Sequence, residues 1–150
     1  AGSQVLPNTL KVSGNPAHAE APLKATPLMA EAEGIQARLT FGENPPPLGK
    51  TTPLLFTLTD SKGGKPVTDI EPYLGAMGHL LLIHQDGQTF VHSHPMEDET
   101  SLNATKGGKI AFNARFPKSG LYKAWMQFQR AGAVVTLSLV LSVPDKIKKL

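Results

Sequence analysis

The chain has 150 residues, no cysteine and a formal charge of +3 at pH 7. That length suits one domain with its own core. The absence of thiols excludes disulfide scaffolds, Cys-ligated zinc, iron–sulfur clusters, thiol catalysis and blue-copper sites. The mild charge, without interleaved basic and aromatic residues, argues against nucleic-acid binding. No apolar run reaches the about 18–20 residues of a membrane span.

Gly (14) and Pro (13) exceed their usual combined share of about 12 %, as in turn-rich all-β domains. Residues 1–33, punctuated by Pro7, Pro16, Pro22 and Pro27, are predicted to form an extended Pro/Ala-rich leader. A strand over Thr9–Val12 is the alternative. The start Ala-Gly-Ser-Gln lacks a basic and then apolar signal segment, so an exported protein would appear here in mature form.

From Gly34 the pattern alternates strands and turns. Predicted strands are Ile35–Phe41, Pro53–Thr59, His79–His84, Thr89–His94, Lys109–Phe116, Leu121–Gln129 and Val134–Val143. A helical turn is predicted at Glu71–Leu74, and nothing keeps a helical period over about ten residues. The expected fold is an immunoglobulin-like, cupredoxin-like antiparallel β-sandwich of about seven strands over residues 34–144, with a basic tail at 145–150. Its core would use Trp125, Phe128, Phe112, Phe56, Leu58 and the C-terminal aliphatic residues. Ser119-Gly120-Leu121-Tyr122 resembles a tyrosine corner, with Ala124 where such domains carry a cysteine.

Four of the five histidines lie between His79 and His94. Asp86-Gly87 between two apolar runs is a strong hairpin signal. Counting outward from that pair opposes Ile83 to Phe90, Leu82 to Val91, Leu81 to His92 and His79 to His94. Side chains alternate along a strand, so His79, His92 and His94 share one face and His84 takes the other. Opposed Cβ atoms lie about 5 Å apart and diagonal ones about 7–8 Å or less, close enough for three imidazoles to meet on one ion. Met77 would join them if the strand extended back that far. A thioether beside imidazoles favours copper, Cu(I) in particular, with Cu(II) and zinc as alternatives. A register slip of one residue would break the set. The bland alternative is a hairpin whose histidines are solvated or hydrogen-bonded for structure. His84 reads as structural, and His18 as a solvated leader residue.

His92-Ser93-His94 followed by Glu97 and Glu99 echoes one cupin metal motif, but no later histidine completes the second. Glu97, Asp98 and Glu99 read as a solvated turn rather than as a general base. No phosphate-binding loop and no nucleophile elbow are present. Catalysis is not expected.

Gly75-Ala-Met77-Gly-His79-Leu80, then Val91-His92-Ser-His94-Pro95, then Phe116-Pro-Lys-Ser-Gly-Leu-Tyr122 and Gln127-Phe-Gln129 resemble exported bacterial domains. These are the immunoglobulin-like or cupredoxin-like domains grouped around YtkA-like and FixH-like proteins. The resemblance covers roughly Ile35 to Val143. It implies periplasmic or secreted metal handling, often of copper, beside an exporter or an acceptor protein. The positions it carries over are Met77, His79, His92 and His94. Two other functions stay open: a metal-independent interaction module of a larger assembly, and a three-histidine or cupin-like metalloenzyme.

Overall fold

The structure, a computed structural model, describes residues 8–14 and 21–145, and for His92 and His94 the backbone alone. His18 and the lysines at 146, 148 and 149 lie outside the described residues. Two antiparallel sheets pack as a sandwich.

The strands are β1 (Met29–Ala32), β2 (Ile35–Phe41), β3 (Thr51–Asp60), β4 (Ile70–Glu71), β5 (His79–His84), β6 (Phe90–Pro95), β7 (Lys109–Arg115), β8 (Gly120–Arg130) and β9 (Ala133–Val143). One short helix, α1 (Glu99–Thr105), joins β6 to β7. All seven expected strands form, with ends shifted by a few residues. The first sheet runs β1-β2-β3-β7 and reaches β6; the second joins β6 to β5, β8 and β9. Strand β6 belongs to both, pairing β5 through Phe90–His92 and β7 through Ser93–Pro95. On the opposite side Thr26 closes the gap. Its N–H donates to the Val140 carbonyl (3.0 Å) and its Oγ1 accepts from the Val140 N–H (2.9 Å). Covering edges in this way removes templates for unwanted pairing.

Alternation builds the core. Along β8, Tyr122, Ala124, Met126 and Phe128 are buried. They meet Leu54, Phe56 and Leu58 of β3 and Ile110 and Phe112 of β7. The tyrosine corner forms: the buried Tyr122 hydroxyl donates to the Lys118 carbonyl at 2.8 Å. Burial of the ring pushes this phenol's pKa up.

Four expectations need correction. Trp125 is outside the core, because it is out of phase with the four buried residues of β8. The segment at Glu71–Leu74 is not helical; β4 ends there and a tight turn follows, with Leu74 and Gly75 both at positive φ. The acidic run at 97–99 starts α1, where the Asp98 carboxylate accepts from the Ser101 N–H and hydroxyl. An Asp three residues before a Ser is an N-cap signal. Finally, strand structure begins at Met29, within the segment read as leader, because Glu33 and Gly34 at positive φ fold β1 back on β2. Thr9–Val12 forms no strand, and Leu10 and Val12 are exposed.

Candidate functional site

The histidine hairpin pairs Ile83 with Phe90, Leu82 with Val91 and Leu81 with His92, as counted from Asp86-Gly87. Its loop is longer than the two residues assumed. The His84 N–H donates to the Thr89 carbonyl (2.8 Å), and the Gly87 N–H returns to the His84 carbonyl (2.9 Å). The loop is thus Gln85–Gln88, centred on the same two residues, and symmetric lengthening leaves the register unchanged.

Beyond Leu81–His92 the two strands part. The expected pairing of His79 with His94 does not form: His94 opposes Asn113 of β7, and His79 opposes Gln127 of β8. The physical cause is the double membership of β6, whose later residues complete the first sheet. Ser93 marks the parting, donating its hydroxyl to the Leu80 carbonyl at 2.8 Å.

A hollow of about 590 Å3 opens there on the outer face of the second sheet. His79 lines it from β5, Ser93 and Pro95 from β6, Trp125 and Gln127 from β8 and Thr136 from β9. His94 lies between Ser93 and Pro95 in the chain. Gly78, just before β5, lies close over β7, since a Cβ there would meet Ile110 at 3.0 Å and Phe112 at 3.2 Å.

His79 is oriented from upstream. Its Nε2 lies 2.7 Å from the Tyr73 carbonyl oxygen, and its ring meets the Tyr73 ring edge-on at 5.5 Å. A carbonyl only accepts, so Nε2 carries the proton and neutral His79 presents a lone pair on Nδ1. The turn that aims this carbonyl is held by the Tyr73 and Ala76 backbones, paired at 2.8 and 3.1 Å. Neither Tyr73 nor Trp125 was singled out as a site residue in the sequence. The phase of β8 could have shown Trp125, since a buried tyrosine corner at Tyr122 puts Trp125 outward. The bond to Tyr73 depends on the turn and had no local signal.

Met77 stands in the bend before β5, not on the strand, and it does not line the hollow. His84 is buried on the opposite face, as its phase requires. Its Nε2–H donates to the Ser119 carbonyl (3.0 Å), its Nδ1 accepts from the Asp86 N–H (3.2 Å), and its ring packs on Tyr122 at 4.9 Å. Its Nδ1 also lies 3.1 Å from Asp86 Oδ2, so both ring nitrogens are engaged in holding the loop. Asp86 is held well below the usual carboxylate range, first by the Lys118 ammonium at 2.8 Å and then by the Thr89 hydroxyl and the Gln88 and Thr89 N–H groups. Among the described residues, no three His, Asp or Glu side chains gather as a metal site; the side chains of His92 and His94 are not among them.

No curated protein and no solved structure matches the chain. Residues 30–145 match the family model described as a domain of unknown function, DUF8832. With most of its length matched, the chain belongs to that DUF8832 family.

Proposed function

We propose that this domain is a copper-binding protein of the periplasm or cell exterior, taking up the ion through His79, His92 and His94 and passing it to an exporter or acceptor protein. The observation that carries this reading is the bond from His79 Nε2 to the Tyr73 carbonyl. Metal-binding histidines characteristically donate their second ring N–H to a carbonyl or carboxylate, which fixes the tautomer and raises the basicity of the ligating nitrogen. His79 is held that way on the wall of a hollow, and β6, which carries His92 and His94, borders the same hollow. The motif likeness to YtkA-like and FixH-like domains points the same way.

In this reading the role of each residue is simple. Tyr73 orients His79, and His79 offers Nδ1. His92 and His94 supply the remaining imidazoles, and Met77 is left as a neighbour of the site. Neutral imidazoles release copper readily to a partner rich in thioethers or thiolates, which suits capture and delivery rather than turnover. Acid protonates imidazole and so removes its ligating lone pair, which favours release.

The test is equilibrium binding of Cu(I), Cu(II) and Zn(II) under chelator competition. The wild type is compared with His79→Ala, His92→Ala, His94→Ala and His84→Ala. Copper affinity falls at the first three and holds at His84→Ala. If none of the ions binds at micromolar protein, the reading is wrong and a metal-independent interaction module replaces it.

A further inference from the structure

The two sheets differ on their outer faces, at the positions that alternate with the buried ones. In the first sheet these carry Arg38 on β2 and Lys109 and Arg115 on β7, all exposed. In the second they carry Leu81 and Ile83 on β5, Leu121 and Trp125 on β8 and Val134 on β9. Lys123 is the only Lys, Arg, Asp or Glu among the outward positions of those three strands. Their polar members, such as Gln127 and Thr136, are uncharged. An antiparallel sheet with one solvated face normally makes that face polar, and a contiguous apolar face marks a contact surface.

The same chain carries an apolar segment with nothing packed against it. Thr9-Leu10-Lys11-Val12 has the alternation of a half-buried strand, yet Leu10 is 86 % and Val12 88 % exposed. Its tether leads to the second sheet. Thr26 is bonded to Val140 of β9. Upstream of it, Pro22 and the half-buried Leu23 line a small hollow with Gln85, the residue after β5. Gln85 is fixed beside β8, its Oε1 accepting from the Leu121 N–H at 2.9 Å. Val12 stands ten residues before Pro22, a reach of at most about 33–36 Å. Leu81 stands four residues before Gln85, about 13 Å along the strand. The segment therefore reaches the outer face of its own second sheet with length to spare.

We propose that Thr9–Val12 docks on the outer face of the second sheet of its own chain. Leu10 and Val12 lie against Leu81 and Trp125, and Thr9 and Lys11 turn to solvent. Leu81 and Trp125 are also walls of the hollow beside His79, so the docked segment narrows access to it. Ordering the segment offsets much of the gain from apolar burial, so docked and open forms exchange, and the structure shows the open one. The proposal does not rest on the copper reading.

The chain has one tryptophan and no cysteine, so both reporters are unique. A nitroxide is attached to Lys11→Cys in the 150-residue chain, and the Trp125 indole N–H signal is followed by NMR without added metal. The nitroxide broadens that signal, and adding Leu10→Asn and Val12→Asn abolishes the broadening. Without the label, Trp125 emission shifts to the red in Leu10→Asn/Val12→Asn and stays in place in Thr9→Asn. Circular dichroism checks that each variant folds. An indole signal that is not broadened, or is equally broadened in the Leu10→Asn/Val12→Asn background, overturns the docking. Broadening of separate 15N-labelled wild-type protein by nitroxide-bearing unlabelled protein replaces self-docking with docking between copies, and overturns the proposal as stated. Failure of copper to bind leaves these outcomes unchanged, so the two proposals fail separately.

Discussion

The imidazole of His79 is tied to the backbone of Tyr73, six residues upstream, by a 2.7 Å hydrogen bond from Nε2 to the carbonyl oxygen. Neither residue reaches the other through the β-ladder. The turn Tyr73–Ala76, with Leu74 and Gly75 at positive φ, brings them together. The bond commits His79 to one tautomer.

That commitment is measurable. Two-bond 1H–15N spectra of the metal-free protein, at a pH where the imidazoles are neutral, should show His79 protonated at Nε2. Addition of Ag(I) should then shift Nδ1 far more than Nε2. Protonation at Nδ1 in the metal-free protein would contradict the hydrogen bond and remove the support that it gives to the copper reading.

Neighbouring leucines on β5 should behave oppositely. Leu82 is fully buried, whereas Leu81 is 46 % exposed beside Trp125. Leu82→Ala should lower unfolding free energy by about 2–5 kcal/mol through lost burial and the cavity left behind. Leu81→Ala should lower it by about 1 kcal/mol or less. Urea denaturation of the two variants decides this, and equal losses would mean that the strand is turned over.

The tyrosine corner should contribute to stability and not to metal binding. Tyr122→Phe removes the donor to the Lys118 carbonyl while preserving ring packing on Phe116 and His84. The expected loss is about 1–3 kcal/mol, the range for leaving a partly buried acceptor unpaired. Copper affinity should stay within twofold or so of wild type, about 0.4 kcal/mol by the relation of affinity to free energy.

Asp86 predicts the acid behaviour of the hairpin loop. Its folded pKa is depressed below the ordinary aspartate value of 3.8, with the Lys118 ammonium as the leading cause. A depressed carboxylate stabilises the fold above its unfolded pKa and loses that contribution as pH falls towards the folded one. Melting temperature should therefore drop as pH falls from about 5 into the strongly acidic range. Asp86→Asn keeps an oxygen for the Gln88 and Thr89 N–H groups but cannot titrate, so its melting temperature should fall less steeply over that range. Parallel pH profiles would show that Asp86 does not gain its charge-dependent contacts on folding.

Much of the fold was legible because strand alternation and turn chemistry are local. Seven strands, the tyrosine corner and the hairpin register follow from residues near one another in the chain. The register holds from Ile83–Phe90 to Leu81–His92, though not on to His79–His94, because the loop Gln85–Gln88 is still centred at Asp86-Gly87. His84 likewise followed from its phase and lies buried on the face opposite His79. Size and hydrophobicity point Trp125 to the core, but the phase of β8 turns it outward. The helix at Glu99–Thr105 carries no legible period, because seven residues are too few for one to stand out.

What the sequence by itself determined is the alternation of buried and exposed residues, and with it an all-β sandwich with a histidine-bearing hairpin. Which residues surround His79 was decided only in three dimensions. Strand β6 leaves β5 after His92 because it must also pair with β7, so His79 and His94 are not paired in the ladder and the hollow lies where the strands part. The Tyr73 carbonyl and the Trp125 ring arrive from a turn and from another strand. Pattern within a strand reports which face a residue takes, but competition between two sheets for one strand is a long-range balance of pairing, and no local signal encodes it.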